Sequence, residues 1–281
     1  MISWWQGLLL GALQGLTEFL PVSSSGHLVL AQSLLKGFSQ PGVLFDVALH
    51  VATALAVVLY FAQDLLGLLK RSVRAEDAEE MAESGKMKRI EWKLAWVMLL
   101  ALIPTGVIGF LLKDFAEAQF QSPLAVGYFL ILTGIILFSA DLVASKKPGA
   151  PAEPNFWQAL LIGSAQGLAV FPGLSRSATT ISTGIFTGLR GDYAARFSFL
   201  LSVPAVLGAS LVSLKDQKEA IANFQSHDLL AYLLGMGAAL LVGYFSIRLV
   251  FAVVRKIRLS WFGGYCVLLG LLTVIVENLN K

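Results

Sequence analysis

The sequence predicts an all-α, polytopic integral membrane protein with an inverted-topology repeat, two re-entrant segments and six full spans. Three observations carry that prediction. Of 281 residues, 56% are hydrophobic and 14% charged, against about 25% charged in a soluble domain. Mean hydropathy is +0.73, and long apolar runs recur along the whole chain. A stretch of text also occurs twice. "GALQGLTEFLPVSSSGH" (Gly11 to His27) lies over "GSAQGLAVFPGLSRSAT" (Gly163 to Thr179) without a gap, at an offset of 152 (166 − 14).

The elements follow in order. Residues 2–20 and 156–171 are apolar but short and polar for spans, and each runs into a proline, Pro21 or Pro172. Such segments enter the bilayer, break and turn back. The first is not expected to be a signal peptide, because it lacks a positive n-region and Glu18 interrupts it. Full spans are expected at 44–62, 94–112, 124–142, 197–213, 229–250 and 261–278, each near the ~20 residues needed to cross. The polar "VASKKPGAPAEPN" reads as a linker at 143–155. The chain then forms one membrane domain, with a first repeat at 1–142 and a second at 156–281. Within the duplicated text Gln14 meets Gln166, Gly15 meets Gly167, Phe19 meets Phe171, Ser23 meets Ser175 and Ser25 meets Ser177. Phe45 and Phe197 extend the same offset.

One re-entrant segment plus three spans per half makes the second copy enter from the opposite face. Loop charge agrees. Lys70, Arg71, Arg74, Lys86, Lys88, Arg89 and Lys93 share a side with Lys146, Lys147, Arg255, Lys256 and Arg258. The positive-inside rule makes that side cytoplasmic and leaves both termini outside. The acidic and basic run "RAEDAEEMAESGKMKR" reads as a solvated cytoplasmic loop or helix. Trp4, Trp5, Trp92, Trp157 and Trp261 stand near the ends of apolar segments, as interfacial anchors do. No basic stripe interleaved with aromatics is present, so no nucleic-acid partner is expected. The lone Cys266 excludes an intrachain disulfide.

Each break is followed by small hydroxyl residues, "PVSSSGH" and "PGLSRSATT". Broken helices that meet near the midplane expose backbone N–H groups to an anion, and successive N–H groups cradle phosphate. Ser24, Ser25, Gly26, Gly173, Ser175, Ser177 and Thr180 are the candidate binding residues, with Arg176 as a bidentate charge. Gln14 and Glu18 are four apart and share a helix face. An intramembrane carboxylate is costly unless paired, hydrated or metal-bound. Glu18 therefore calls for a divalent cation or a basic group from the other half. His27 is the candidate general acid or base. His50 reads as packing or helix contact, and Asp46 as an acid at a helix start.

These residues resemble the two signature motifs of the undecaprenyl-diphosphate phosphatases, the bacitracin-resistance membrane proteins of bacteria. The resemblance covers essentially the whole chain, including "FSFLLSVPAVLGA". It places the family's glutamate/glutamine motif on Gln14 and Glu18, its serine motif and histidine on Ser23, Ser24, Ser25 and His27, and its arginine motif on Ser175, Arg176 and Ser177. The implied activity is removal of the terminal phosphate from undecaprenyl diphosphate. That recycles the lipid carrier for peptidoglycan synthesis and confers bacitracin resistance. The resemblance also implies a multi-pass protein of the bacterial inner membrane with its site opening to the periplasm, and a divalent cation, Mg2+ or Ca2+, at Glu18. Where the family pattern has a second carboxylate this chain has Gln14, which weakens a metal site built on two carboxylates.

A transporter or flippase of a polyprenyl phosphate is the competing reading, because inverted repeats with broken helices are transporter architecture. A scaffold is the third, and the intramembrane polar cluster counts against it. A homodimer is the expected assembly. For the attacking group, Ser23 follows the Pro21 break directly and His27 lies four residues on, so His27 is placed to take the Ser23 proton. In the rival, His27 activates water and Ser23 binds phosphate.

Overall fold

A computed structural model describes residues 2–40, 43–62, 81–146, 149–150, 152–222, 228–254 and 258–279, with backbone alone for 81–93, 219–220 and 252–254. Every regular element among the described residues is a helix, apart from one isolated bridge between Ala150 and Leu189. In order the helices are α1 (Trp4–Phe19), α2 (Ser24–Leu34), α3 (Leu44–Tyr60), α4 (Met81–Gln119), α5 (Pro123–Lys146), α6 (Phe156–Leu168), α7 (Arg176–Phe186), α8 (Gly191–Asp216), α9 (Lys218–Ala222), α10 (Leu229–Val254) and α11 (Ser260–Leu279).

Five helices are long and apolar enough to cross a bilayer: Leu94–Gln119, Pro123–Lys146, Gly191–Asp216, Leu229–Phe251 and Ser260–Leu279. This is a polytopic membrane protein. The sixth expected span, 44–62, differs: α3 is an apolar helix of 17 residues, about 25 Å long at 1.5 Å per residue. It packs between α1, α8 and α10. The expected span at 197–213 is longer than its apolar text. Asp192 stands in the first turn of α8, where a carboxylate complements the helix dipole, and Arg190 grips it through Nε and Nη2. Of the basic loop before α4, residues 63–80 lie outside the described residues, as do Lys147, Arg255 and Lys256.

The two duplicated segments fold alike. At the start of α1, Gln6 Oε1 accepts from the Ser3 N–H at 2.9 Å. At the start of α6, Gln158 Oε1 accepts from the Asn155 N–H at 2.8 Å, and Asn155 Oδ1 accepts in return from the Gln158 N–H at 3.0 Å. That is a reciprocal cap. Leu20 ends α1 in extended geometry (φ −63°, ψ 141°) because Pro21 bars its own predecessor from the helical region. After each break a short helix restarts, at Ser24 and at Arg176.

Packing interlocks the halves. α1 lies against α10, and α6 against α4. These contacts are backbone-close: a Cβ on Gly11 would stand 2.0 Å from Gly235 O, and one on Gly163 would stand 2.1 Å from Ala101 O. Gly7, Gly11 and Gly15 meet Ala231, Gly235 and Ala239 in the same sequence direction, so α1 and α10 run parallel. Gly163 and Gly167 meet Ala101 and Pro104 likewise. The pair α5 and α11 is antiparallel, with Gly127 against Gly270 and Gly134 against Gly263. Small residues let helix backbones approach this closely in lipid, where packing rather than water exclusion drives association. The largest core joins Phe19, Phe197, Phe199 and Leu201 to Ile181 and Ile162 around the two breaks. Trp4, Trp5, Trp157 and Trp261 remain exposed.

Candidate active site

The two breaks meet. Ser177 Oγ donates to Leu20 O at 3.1 Å, which ties the start of α7 to the first break. A Cβ on Gly26 would lie 3.0 Å from Gly173 Cα, so the start of α2 rests on the second break. The first turns of α2 and α7 are thus brought to one place, each with N–H groups that no intrahelical acceptor can take. Together they form a positive cradle.

Glu18 sits between them, 7% exposed. Its Oε1 accepts from Arg176 Nη2 at 2.6 Å. Its Oε2 accepts from Ser24 Oγ at 2.5 Å and from Gln14 Nε2 at 2.9 Å. The basic group that the isolated carboxylate called for comes from the other half. His50 Nε2 lies 3.7 Å from Glu18 Oε2, and its side chain keeps 28% exposure. Its Nδ1 is held by Asp46 O at 2.8 Å. His50 is therefore a neighbour of the carboxylate as well as a packed span residue. Its sequence signal was an ionisable group inside an apolar span.

The hydroxyls divide into two sets. Ser24 alone points at Glu18. Ser23 Oγ caps α2 by accepting from the Gly26 N–H at 3.3 Å and lies 3.4 Å from Ser25 Oγ. Ser175 Oγ does the same for α7, accepting from the Ala178 N–H at 3.2 Å, and lies 3.2 Å from Ser177 Oγ. Thr180 is fully buried, and its hydroxyl is spent on Arg176 O at 2.7 Å and Ser198 Oγ at 2.6 Å. That braces the arginine helix instead of facing a ligand. Gly173 adopts φ +95°, and a Cβ there would stand 2.5 Å from Val126 O, so this corner admits glycine alone. Thr133 holds the same corner, donating to Gly173 O at 2.8 Å and accepting from the Ser175 N–H at 3.0 Å.

The expected pairing of Ser23 with His27 is not what the fold arranges. His27 Nδ1 lies 2.7 Å from the backbone oxygen of Ser23, and its Nε2 lies 2.7 Å from Tyr265 Oη. Both ring nitrogens are engaged away from the Ser23 hydroxyl. Side-chain spacing of four does bring the two residues together, but through the carbonyl. Ser23 also carries a positive φ, 71°, the one non-glycine case among the described residues. Such a conformation costs about 1–3 kcal/mol and persists where the surroundings over-determine it.

The side chains here do not fit a divalent ion resident on Glu18. Both carboxylate oxygens already accept from Arg176, Ser24 and Gln14. Among the described residues no group of three or more His, Cys, Asp and Glu side chains surrounds it. Gln14 Oε1 is a buried acceptor with no partner among the described residues, and one amide oxygen does not complete the six to eight oxygen ligands of Ca2+ or the octahedron of Mg2+.

Fold and site define a membrane protein in which two broken helices, one from each half, face an ion-paired carboxylate and a serine. The chain belongs to the family described as bacitracin resistance protein BacA, which it matches over residues 7–272. Among its relatives is a protein of Methanosphaera stadtmanae named undecaprenyl-diphosphatase, 40% identical over 274 residues and 96% of both chains. Proteins of the same name from Syntrophotalea carbinolica and Carboxydothermus hydrogenoformans are 43% and 37% identical. The first match spans 96% of this chain and 97% of the relative, the second 98% of both.

Proposed function

We propose that this chain hydrolyses undecaprenyl diphosphate to undecaprenyl phosphate and inorganic phosphate. It would do so as a multi-pass protein of the bacterial inner membrane, recycling the carrier lipid for the cell wall and so conferring bacitracin resistance. The observation that carries the reading is the Ser24–Glu18–Arg176 chain, in which a hydroxyl, a base and a guanidinium stand in contact at the mouth of two helix N-termini. Family membership and the names of its relatives support it, and no observation favours a transporter.

The chemistry follows from those contacts. A diphosphate entering the cradle competes with Glu18 for Arg176, because phosphate matches the guanidinium fork as well as a carboxylate does. Glu18, relieved of its partner, accepts the Ser24 proton. Ser24 Oγ then forms a bond to the terminal phosphorus as the bond from that phosphorus to the bridging oxygen breaks, and prenyl phosphate departs with the electron pair and the Glu18 proton. Water attacks the phosphoserine, gives its proton to Glu18, and Ser24 leaves and recovers that proton. Arg176 and the first-turn N–H groups of α2 and α7 stabilise the charge on the equatorial oxygens. Ser23, Ser25, Ser175 and Ser177 shape the cradle. The Mg2+ or Ca2+ expected at this family's sites is assigned to the diphosphate as its counter-ion, not to a protein cage.

Phosphate release from undecaprenyl diphosphate by purified protein in detergent tests the activity, since detergent abolishes sidedness and leaves hydrolysis. Stereochemistry at a chiral terminal phosphorus tests the mechanism. Two in-line displacements retain configuration; inversion, or near-normal turnover of Ser24→Ala, overturns the serine nucleophile. The periplasmic opening rests on the family resemblance, and the sidedness of the loops on their charge. An impermeant thiol reagent should label a cysteine at Gln121 in intact cells and spare one at Ser84. The division into repeats at 1–142 and 156–281, and a homodimer, complete the proposal.

A further inference from the structure

The ring of the serine motif's histidine hydrogen-bonds neither Glu18 nor Ser24. Its Nδ1 lies on Ser23 O at 2.7 Å and its Nε2 on Tyr265 Oη at 2.7 Å, with the two rings 5.6 Å apart and nearly parallel. A carbonyl oxygen only accepts, so Nδ1 carries the hydrogen, and in the neutral ring Nε2 accepts from the tyrosine hydroxyl. Both ring nitrogens are then engaged away from a reacting group.

The second break shows what the arrangement is for. Its residue in register with His27 is Thr179, and Thr179 Oγ1 donates to Ser175 O at 2.7 Å. At both breaks, then, the side chain four residues on clamps the carbonyl of the cap serine. The two serines differ in strain. Ser175 has an ordinary φ of −66°, whereas Ser23 is at +71°. The strained elbow carries the longer clamp, backed from α11 by Tyr265. The glycines of α5 recur in α11 136 residues on (263 − 127 and 270 − 134), and the same shift puts Tyr265 in sequence register with Phe129. Phe129 stacks on Phe171 at the second break and has no hydroxyl to offer.

We infer that His27 and Tyr265 are positioning residues: they hold the Ser23 carbonyl, and through the Ser23 bend they aim Ser24 Oγ at Glu18. The inference rests on the phosphatase reading, in which Ser24 is the group that must be aimed. Tyr265 belongs to α11, 242 residues beyond Ser23 (265 − 23).

Two measurements separate this from acid–base work by His27. In the first, prenyl diphosphate hydrolysis is compared in His27→Thr, His27→Ala and Tyr265→Phe. His27→Thr copies the second break and keeps the carbonyl clamp, so kcat should stay well above that of His27→Ala. Tyr265→Phe should lower kcat about tenfold, the scale of one hydrogen bond, and leave KM unchanged. A His27→Thr variant as inactive as His27→Ala overturns the clamp. In the second, 15N NMR of the histidine side chains in wild-type protein should show a neutral His27 ring with hydrogen on Nδ1, a resonance that moves in Tyr265→Phe. Hydrogen on Nε2 alone overturns the clamp whether or not any variant folds. Wild-type protein that releases no phosphate sinks the phosphatase reading instead, while the NMR result still decides the clamp.

Discussion

The first and second breaks share a backbone plan and differ in chemistry. Each is a helix that stops at a proline-marked corner, a cap serine, and a second helix that starts at the next residue, Ser24 or Arg176, in register. At the position of Glu18 the second break has Val170, and at the position of Ser24 it has Arg176. One copy thus supplies the base and nucleophile, the other the permanent positive charge. The lesson is that a duplicated scaffold can place unlike groups face to face with symmetric precision. Glu18 bonds Ser24 with one oxygen and Arg176 with the other, so a single carboxylate reads both copies at equivalent positions.

The largest effect should separate the copies outright. Glu18→Gln removes the base and is expected to cut kcat about a thousandfold, within the range of general acid–base catalysis. Val170→Ala at the matching place should leave kcat within about threefold, as a conservative loss away from the chemistry. Comparable losses in both would dissolve the distinction. Next comes Arg176→Lys, which keeps charge but loses the fork and is expected to cost about a hundredfold in kcat/KM. Normal activity there would mean that point charge suffices.

The third test erases the difference instead. Gly11→Val and Gly163→Val drive side chains into facing backbone from equivalent places, and overpacking of this kind costs about 1–3 kcal/mol or more. Both should lower the detergent unfolding temperature alike; one tolerated and one not would show that the copies are unequal as structure too. The smallest effect is reserved for Thr133→Val, which leaves Gly173 O and the Ser175 N–H without their partner. We expect about 1–2 kcal/mol of lost stability and a few-fold rise in KM, with kcat little changed.

Much of this was legible in the text of the chain. Hydropathy marked the long helices, and the gapless offset marked both breaks, with Leu20 and Pro21 fixing where the first helix must end. Glu18 announced its need for a partner, and Arg176 was among the named candidates. What the text hid was direction. Four-residue spacing puts His27 beside Ser23 but does not say whether the ring meets the hydroxyl or the carbonyl, a choice set by Tyr265 from the far end of the sequence. His50 was hidden for a related reason. Alone in an apolar span it resembles packing, and only the meeting of α3 with α1 turns it toward Glu18. Thr133 and Ser198 carry no local signal at all, because each serves a backbone or hydroxyl group more than 15 residues away in the chain.

The parallel pairing of α1 with α10 has a consequence for how the protein is made. Helix α1 completes its glycine contacts only after Gly243 has been synthesised, since Gly15 packs on Ala239 and Gly243. For the first part of that interval, until Arg176 is made, Glu18 also lacks its guanidinium partner. Helices α1 and α2 therefore reach their final packing only once α10 is made. Because the halves share these contacts, a chain cut in the linker is expected to be active only if both pieces are made together, which co-expression of the two pieces tests.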